Sequence, residues 1–289
     1  MFELTGMGSV LRGLGMLYWL LAMGAVALAI WKGKGGRGKA IWTVVAIVVF
    51  GFLPAKGLIE QHQREAYAKE AWAYFKKKCE TEAGEKIYKT FTGVKSVLIV
   101  KPLPPASEND LYDQFWLGDP YSNATPHERR AESAALRLAS QTLPVSFGKV
   151  GRGFDFVESV VTAKTDGDKK YIKYFYLNGA HKHVEQSLET PESRFAILWE
   201  DLSTPEDRQY WVAASRLRAI DLVDNSIVAE RIGFLIEAGF GSTSGGRRPW
   251  LSARGLGKNG RSCPDVHDYS DRWFLLKVFK PVGEIGDGK

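Results

Sequence analysis

Two apolar segments near the N-terminus, joined by a short basic connection, constrain the fold more than any other feature of this chain. The first, residues 14–31, reads LGMLYWLLAMGAVALAIW and has no charged side chain. The second, residues 40–59, begins AIWTVVAIVVFGFL and contains Pro54 and Lys56 near its end. At about 1.5 Å per helical residue, each can cross a bilayer when Lys56 extends to the interface. The pattern therefore predicts a transmembrane hairpin.

A signal peptide and a buried soluble hairpin are the two alternatives for these apolar segments. A cleaved signal peptide would account for the first segment, and Ala27–Ala29 faintly resembles a cleavage site. However, Arg12 is the one basic side chain before that segment, and a second apolar segment follows at once. A buried hairpin of a soluble protein would account for both, although a purely basic connection between two long apolar segments is more typical of a membrane protein.

The connection, residues 32–39, predicts the orientation of the hairpin. It reads KGKGGRGK, with four cations and no acid, and basic loops stay in the cytoplasm under the positive-inside rule. Both termini would then be periplasmic in a bacterium. The cluster Lys76–Lys78 favours the reverse orientation. We expect a bacterial inner-membrane protein with spans at about 14–31 and 40–59 and with membrane lipid as a partner.

The two cysteines give an independent indication of the compartment. Cys79 and Cys263 both follow the apolar segments, and neither belongs to a CxxC pair that would indicate a metal or redox site. Two cysteines in an exported domain usually pair, so a disulfide between them would support the periplasmic orientation. The alternative is two unrelated buried thiols.

The rest of the chain predicts an α+β fold. Residues 57–92 are rich in Ala, Glu, Lys and Gln and predict a stalk helix. Residues 93–280 contain strand-like runs, turn signals and a few helical stretches, which predict a soluble domain with a mainly antiparallel sheet. The transmembrane hairpin would then occupy residues 1–56, and residues 281–289 would form a disordered tail.

The clearest strand pair in that domain is formed by residues 210–222 and 226–237. The two runs are joined at VDNS, where Asp224 and Asn225 fit a tight hairpin turn. The apolar residues of the first run alternate imperfectly, which indicates a bulge. A short helix is expected within residues 125–140. Further strands are expected within residues 94–105, 154–163, 170–177, 194–202 and 272–281.

The segment Trp199–Pro264 resembles a group of uncharacterised proteobacterial membrane-anchored envelope proteins. It has a similar strand hairpin, a similar SGGR-Pro-Trp loop at residues 244–250 and a following Cys-Pro. The insert RGLGKNGR makes the segment before the cysteine more basic than is typical of the group. The resemblance implies a location in the envelope, and no activity is attached to it.

The sequence contains letters of known cofactor and metal motifs, but the neighbouring residues that those motifs require are missing. GLGKNG at residues 255–260 has the letters of the dinucleotide fingerprint, but RSCP follows where a helix must begin. His181 and His183 lie beside Glu185 and are weak metal-ligand candidates, but no third ligand is apparent. We therefore expect no cofactor.

A basic cluster after the strand pair is the remaining candidate site. Guanidinium groups beside glycine-rich backbone bind anions such as phosphate. The alternative is a solvated surface loop. Basic residues elsewhere are interleaved with acids, which argues against a nucleic-acid partner despite the net charge of +6. The anion-binding candidates are Arg247, Arg248, Arg254, Lys258 and Arg261.

These features together favour a non-enzymatic envelope protein. Its periplasmic domain would bind a protein partner or take part in assembly. The alternative is an envelope enzyme, hydrolase-like, with a site that carries no recognisable motif. A cytoplasmic regulator is a third hypothesis, which requires the reverse orientation of the hairpin.

Overall fold

The chain divides into two compact units, Met1–Tyr67 and Ala68–Lys289. A computed structural model describes residues 7–32, 35–101, 106–122, 124, 130–139, 153–162, 169–176, 183–254, 261–264 and 270–282. The helices are α1 (Met7–Lys32), α2 (Gly35–Thr81), α3 (Arg130–Ala139), α4 (Pro205–Gln209), α5 (Pro249–Arg254) and α6 (Ser270–Val278). The strands are β1 (Gly84–Ile87), β2 (Phe91–Val94), β3 (Ser96–Lys101), β4 (Phe156–Thr162), β5 (Lys169–Tyr176), β6 (His183–Leu188), β7 (Phe195–Asp201), β8 (Val212–Asp221), β9 (Ser226–Ile236), β10 (Ser262–Cys263) and β11 (Phe279–Pro281).

The N-terminal unit consists of α1 and the first part of α2. Both helices are long and apolar enough to cross a membrane, by length and composition. Only 6% of the most apolar window of each helix is buried, and large apolar side chains such as Leu20 and Val48 are exposed. The core helices of soluble proteins bury such side chains, so this burial does not match a buried core hairpin.

Pro54 lies inside α2 and does not end it. Proline has no backbone N–H, so it cannot donate to the carbonyl four residues earlier, which is that of Phe50. The hydroxyl of Tyr18 in α1 donates a hydrogen bond to that carbonyl. Because a carbonyl without a hydrogen-bond partner is costly away from water, this bond compensates for the one that the proline cannot make.

The second unit is built on a large sheet. Within the described residues the sheet has nine strands, in the order β1-β9-β8-β7-β3-β4-β5-β6, with β10 also beside β9. Strand β3 is parallel to β4 and β7, and the other pairings in this sheet are antiparallel. Strands β2 and β11 form a separate parallel pair. The predicted α+β fold with a mainly antiparallel sheet is confirmed.

The β8–β9 hairpin forms where the sequence predicts it. Its strands pair from Val212 opposite Ile236 to Asp221 opposite Ser226. Asn225 has a φ of 55°, a left-handed conformation that suits a tight hairpin turn. The register shifts after Ala219, so the expected bulge is also present.

The C-terminal part of α2 belongs to the sheet unit because it buries an apolar face there. Ala71 and Phe75 are buried in a cluster with Val212, Phe234 and Ile236. A larger cluster on the sheet contains some of the buried side chains of β3, β4, β7 and β8, together with side chains of α6. The boundary between the two units therefore lies within α2, at Tyr67.

The stalk helix expected over residues 57–92 ends early, at Thr81. Gly84 has a φ of +153°, which lies in the region that favours glycine. The chain then forms β1 and β2 in the sequence GEKIYKTFTGV, whose aromatic and β-branched residues favour strands.

The strand expected over residues 272–281 is wrong for most of its length. Helix α6 occupies this region, and only Phe279–Pro281 are extended. Phe274, Leu275 and Val278 have helical spacing, and all three are fully buried. Because a short apolar run fits a buried strand as well as a buried helix, its letters alone do not separate the two. Of the disordered tail expected over residues 281–289, Pro281 belongs to β11 and is buried, and residues 283–289 lie outside the described residues.

Candidate functional site

A disulfide joins Cys79 to Cys263, as the sequence predicts. Cys79 lies near the end of α2, and Cys263 lies in β10 opposite Phe234 of β9. The two Cα atoms are 5.7 Å apart, which is within the usual range for a bridge. The bond therefore attaches the end of α2 to the edge of the sheet.

The connection that follows β9 is organised around Glu237, whose exposed fraction is 0%. Its carboxylate accepts hydrogen bonds from the backbone N–H groups of Gly239 at 3.0 Å and Gly241 at 2.7 Å. The guanidinium of Arg247 donates to the same carboxylate. Gly241 has a φ of +78°, a conformation that lets the chain turn around the acid. The charge of Arg247 is therefore already matched inside the protein.

The other anion-binding candidates that the structure describes lie in different local surroundings from Arg247. Arg248 donates to both carboxylate oxygens of Glu108, at 3.0 and 3.1 Å. Arg254 is the last residue of α5, and the carbonyl of Arg261 accepts the N–H of Ile236 at 2.9 Å. Lys258 lies outside the described residues. Arg247 and Arg248 thus anchor the loop through acids of this chain, and anion binding by the five cations stays a prediction.

The segment Ala106–Ser122, here called the covering loop, is held against α4 and α5. The indole N–H of Trp250 donates to the carbonyl of Asp113 at 2.7 Å, and the backbone N–H of Trp250 donates to the carbonyl of Leu111 at 3.2 Å. The side-chain amide of Gln114 donates to the carbonyl of Arg208 at 2.8 Å. Leu111 is fully buried. These contacts fix a segment that has no regular secondary structure.

A buried polar cluster joins the C-terminal end of the covering loop to the sheet. The hydroxyl of Ser215 in β8 donates to one oxygen of Asp119 at 2.5 Å, and the backbone N–H of Ser122 donates to the other at 3.0 Å. The two serine hydroxyls are 3.0 Å apart. All three residues are buried, and burial raises the pKa of Asp119 to about 6.

Among the described residues, no histidine completes a catalytic triad with this Ser-Asp cluster. A triad requires a histidine that contacts the serine hydroxyl. In the described part of the sheet unit, histidine occurs only at His183, on β6, which is five strands away from β8 in the sheet order. At about 4.8 Å per strand, that separation is about 24 Å. The cluster connects the covering loop to the sheet through the bond between Ser215 and Asp119.

We predict that Asp119 makes the stability of the domain depend on pH. Its pKa of about 6 exceeds the ordinary value of 3.8, so the native state binds more protons than the unfolded state between those values. The stabilising effect of the proton is complete below pH 4 and is lost as the pH rises through 6. The free energy of unfolding should fall over that range by about 3 kcal/mol.

The Asp119→Asn variant is the control for this prediction, because its amide oxygen still accepts the N–H of Ser122. Urea unfolding of both proteins at pH 4.5 and at pH 7 measures the effect. The wild type should lose stability relative to the variant when the pH is raised. If the difference in free energy of unfolding between the wild type and the variant is the same at both pH values, the raised pKa of Asp119 is contradicted.

The weak metal candidates have limited support. His183 lies on β6, and its Nε2 is 3.8 Å from Oε1 of Glu185. His181 lies outside the described residues. Among the residues that the structure does describe, no group of three or more His, Cys, Asp or Glu side chains is placed to hold a metal ion.

The sequence interpretation missed the exposed apolar residues of the covering loop. Tyr112, Phe115 and Leu117 are 45%, 53% and 97% exposed. We call these three side chains the apolar tip. The sequence did contain a signal, because four aromatic residues fall between positions 112 and 121 in a stretch full of turn formers. A loop that only connects two elements does not require them.

Known proteins add no further constraint on the site. No protein-family model matches the chain, and no solved structure matches it.

Proposed function

We propose that this chain is a bacterial inner-membrane protein whose disulfide-bonded domain lies in the periplasm and acts in binding or assembly. The observation that carries the proposal is the bridge between Cys79 and Cys263, in the domain that follows two apolar helices. Disulfides persist in oxidising compartments and are rare in the reducing cytosol. The bridge and the basic connection at residues 32–39 therefore agree on the orientation.

The lysines at 76–78 are weaker evidence for the orientation than the basic connection at residues 32–39. The positive-inside rule counts cations within about 15–20 residues of the end of a span. These lysines lie at the limit of that range from residue 59, whereas the basic connection adjoins both spans directly. In addition, Lys78 contributes to the fold, because its ammonium lies 3.0 Å from Glu82 and 3.7 Å from the buried Asp207.

Binding is favoured over catalysis by the way the polar groups are used. Asp119 and Ser215 are buried and bond to each other, and Glu237 is occupied by Arg247 and two backbone N–H groups. By contrast, the apolar tip of the covering loop is exposed to solvent. This distribution suits a protein that presents a surface to a partner.

Reporter fusions test the orientation. Alkaline phosphatase folds only outside the cytoplasm, and green fluorescent protein exported in the unfolded state stays dark. We expect phosphatase activity when the reporter follows Lys289 and fluorescence when it follows Arg37. The reverse pattern would contradict the proposal. N-terminal sequencing of the mature protein separates the uncleaved hairpin from the signal-peptide alternative.

A further inference from the structure

We infer that the apolar tip is the docking surface for an envelope protein that presents an apolar pocket rimmed by cationic side chains. This inference rests on the proposed function and names the surface through which the domain acts. It joins three independent features of the covering loop: the exposure of its apolar side chains, the fixation of its backbone and the sign of its charge.

The exposure of the tip is unusual for a loop that is otherwise well packed. Leu117 is 97% exposed, while Leu111 in the same loop is fully buried. Phe115 and Tyr112 are about half exposed. Tyr and Phe are enriched at the cores of protein interfaces, and burial of an exposed leucine adds apolar area to such a core. The tip therefore has the residue types of an interface anchor.

The backbone that carries the tip is held in place before any partner binds. Its turns are closed by hydrogen bonds from Tyr112 to Asn109, from Asp113 to Asp110 and from Trp116 to Asp113, at 3.0–3.3 Å. The bonds from Trp250 and Gln114 described above fix the loop to α5 and to the end of α4. A fixed loop loses little conformational entropy on binding, which favours affinity.

The charge of the covering loop selects the kind of partner. Residues 107–119 contain four acids and no Lys or Arg, although the chain has a net charge of +6. Glu108 is bonded to Arg248, and Asp119 is buried. Asp113 is exposed and Asp110 is half-buried, and both lie beside the residues of the apolar tip in sequence.

This charge argues against the bilayer as the occupant. Anionic lipids attract basic segments and repel acidic ones, so a membrane-inserting tip would be expected to carry Lys or Arg. A protein surface with cationic side chains around an apolar pocket is complementary to both Leu117 and the two aspartates.

Site-specific photo-crosslinking in cells tests the inference on the full chain in its own membrane. A benzophenone amino acid replaces Leu117, and in the control it replaces Val223, which is 75% exposed at the β8–β9 turn. We expect a discrete protein adduct from position 117 and none from position 223. Mass spectrometry identifies the adduct, and the identified protein is then purified for binding measurements with the full chain in nanodiscs.

The binding measurements separate the apolar and electrostatic contributions. Leu117→Ser should raise Kd about tenfold, since burial of a leucine is lost. The double variant Asp110→Asn, Asp113→Asn keeps a side-chain oxygen at each position to accept the N–H groups of Ser107 and Phe115. It should weaken binding and reduce its dependence on salt. Glu189→Lys, an exposed acid beyond the end of β6, is the control and should leave Kd unchanged. Formation of the Cys79–Cys263 disulfide in each variant verifies folding.

Several results would overturn the inference: an adduct with lipid, an adduct with a second copy of this chain, no adduct at position 117, or equal adducts at both positions. If the double variant Asp110→Asn, Asp113→Asn binds the identified protein with an unchanged Kd and an unchanged dependence on salt, the inference about the partner's charge is wrong. If Gln186 on β6 yields a protein adduct and position 117 does not, the domain still binds a partner and only the surface is wrong. If the reporter fusions place the domain in the cytoplasm, the proposed function itself fails.

Discussion

Replacing Arg247 with alanine is expected to lower the free energy of unfolding of the sheet domain by about 3 kcal/mol. Glu237 has an exposed fraction of 0%, and in the variant its carboxylate would keep, among the described residues, the N–H groups of Gly239 and Gly241 as donors. An uncompensated buried charge costs more than the lost ion pair contributes, which is why the expected effect is large. Urea unfolding followed by tryptophan fluorescence measures the change.

Arg248 supplies the matched control, because it is the next residue and also pairs with an acid. Its partner Glu108 is exposed, so Arg248→Ala should change the free energy of unfolding by less than about 1 kcal/mol. The double variant Arg247→Ala, Glu237→Gln should recover part of the lost stability, since it removes the buried charge. Equal effects of the two arginine substitutions would show that Glu237 does not depend on Arg247.

The largest effect is expected from removing the disulfide. Cys79 and Cys263 are 184 residues apart in sequence, and cross-linking so long a loop restricts the unfolded chain by up to about 5 kcal/mol in the chain-entropy model. The double variant Cys79→Ser, Cys263→Ser should therefore lose several kcal/mol and unfold at a much lower urea concentration. The same loss should follow when the wild type is reduced.

The single variant Cys79→Ser distinguishes the bridge from local packing at the cysteines. It should be about as unstable as the double variant, because either substitution opens the loop. A wild-type domain whose unfolding midpoint is the same with and without reductant would contradict the expected contribution of the bridge.

The features that the sequence predicted correctly depend on local rules. The β8–β9 hairpin follows from two strand-like runs and the turn at Asp224 and Asn225. The apolar helices follow from composition and length. The pairing of Cys79 with Cys263 is the exception, because it joins residues 184 apart; it could be predicted because the chain has two cysteines, which can pair in one way.

The features that were missed depend on contacts between distant residues. Phe279 of β11 lies opposite Phe91 of β2, and this pairing decides where α6 ends and the chain becomes extended. The partner of Arg248 is Glu108, 140 positions earlier. No periodicity or spacing reveals such pairs, so the basic loop was interpreted as a possible anion site although two of its arginines face acids of this chain.

The apolar tip was missed for a different reason. The stretch around Leu117 has the glycine, proline and acidic residues of a solvated loop, and these outweighed its aromatic residues. Only the three-dimensional contacts show that Leu111 is buried while Leu117 is exposed.

Cysteine labelling in intact cells tests the central claim most directly. Cells with a permeabilised outer membrane are treated with a membrane-impermeant maleimide, with or without prior membrane-impermeant reductant. For a disulfide-bonded periplasmic domain, we predict that Cys79 and Cys263 are labelled only after reduction, and without lysis of the inner membrane. Thiols that react without reductant, and only after the inner membrane is lysed, would place the domain in the cytoplasm and contradict the proposal.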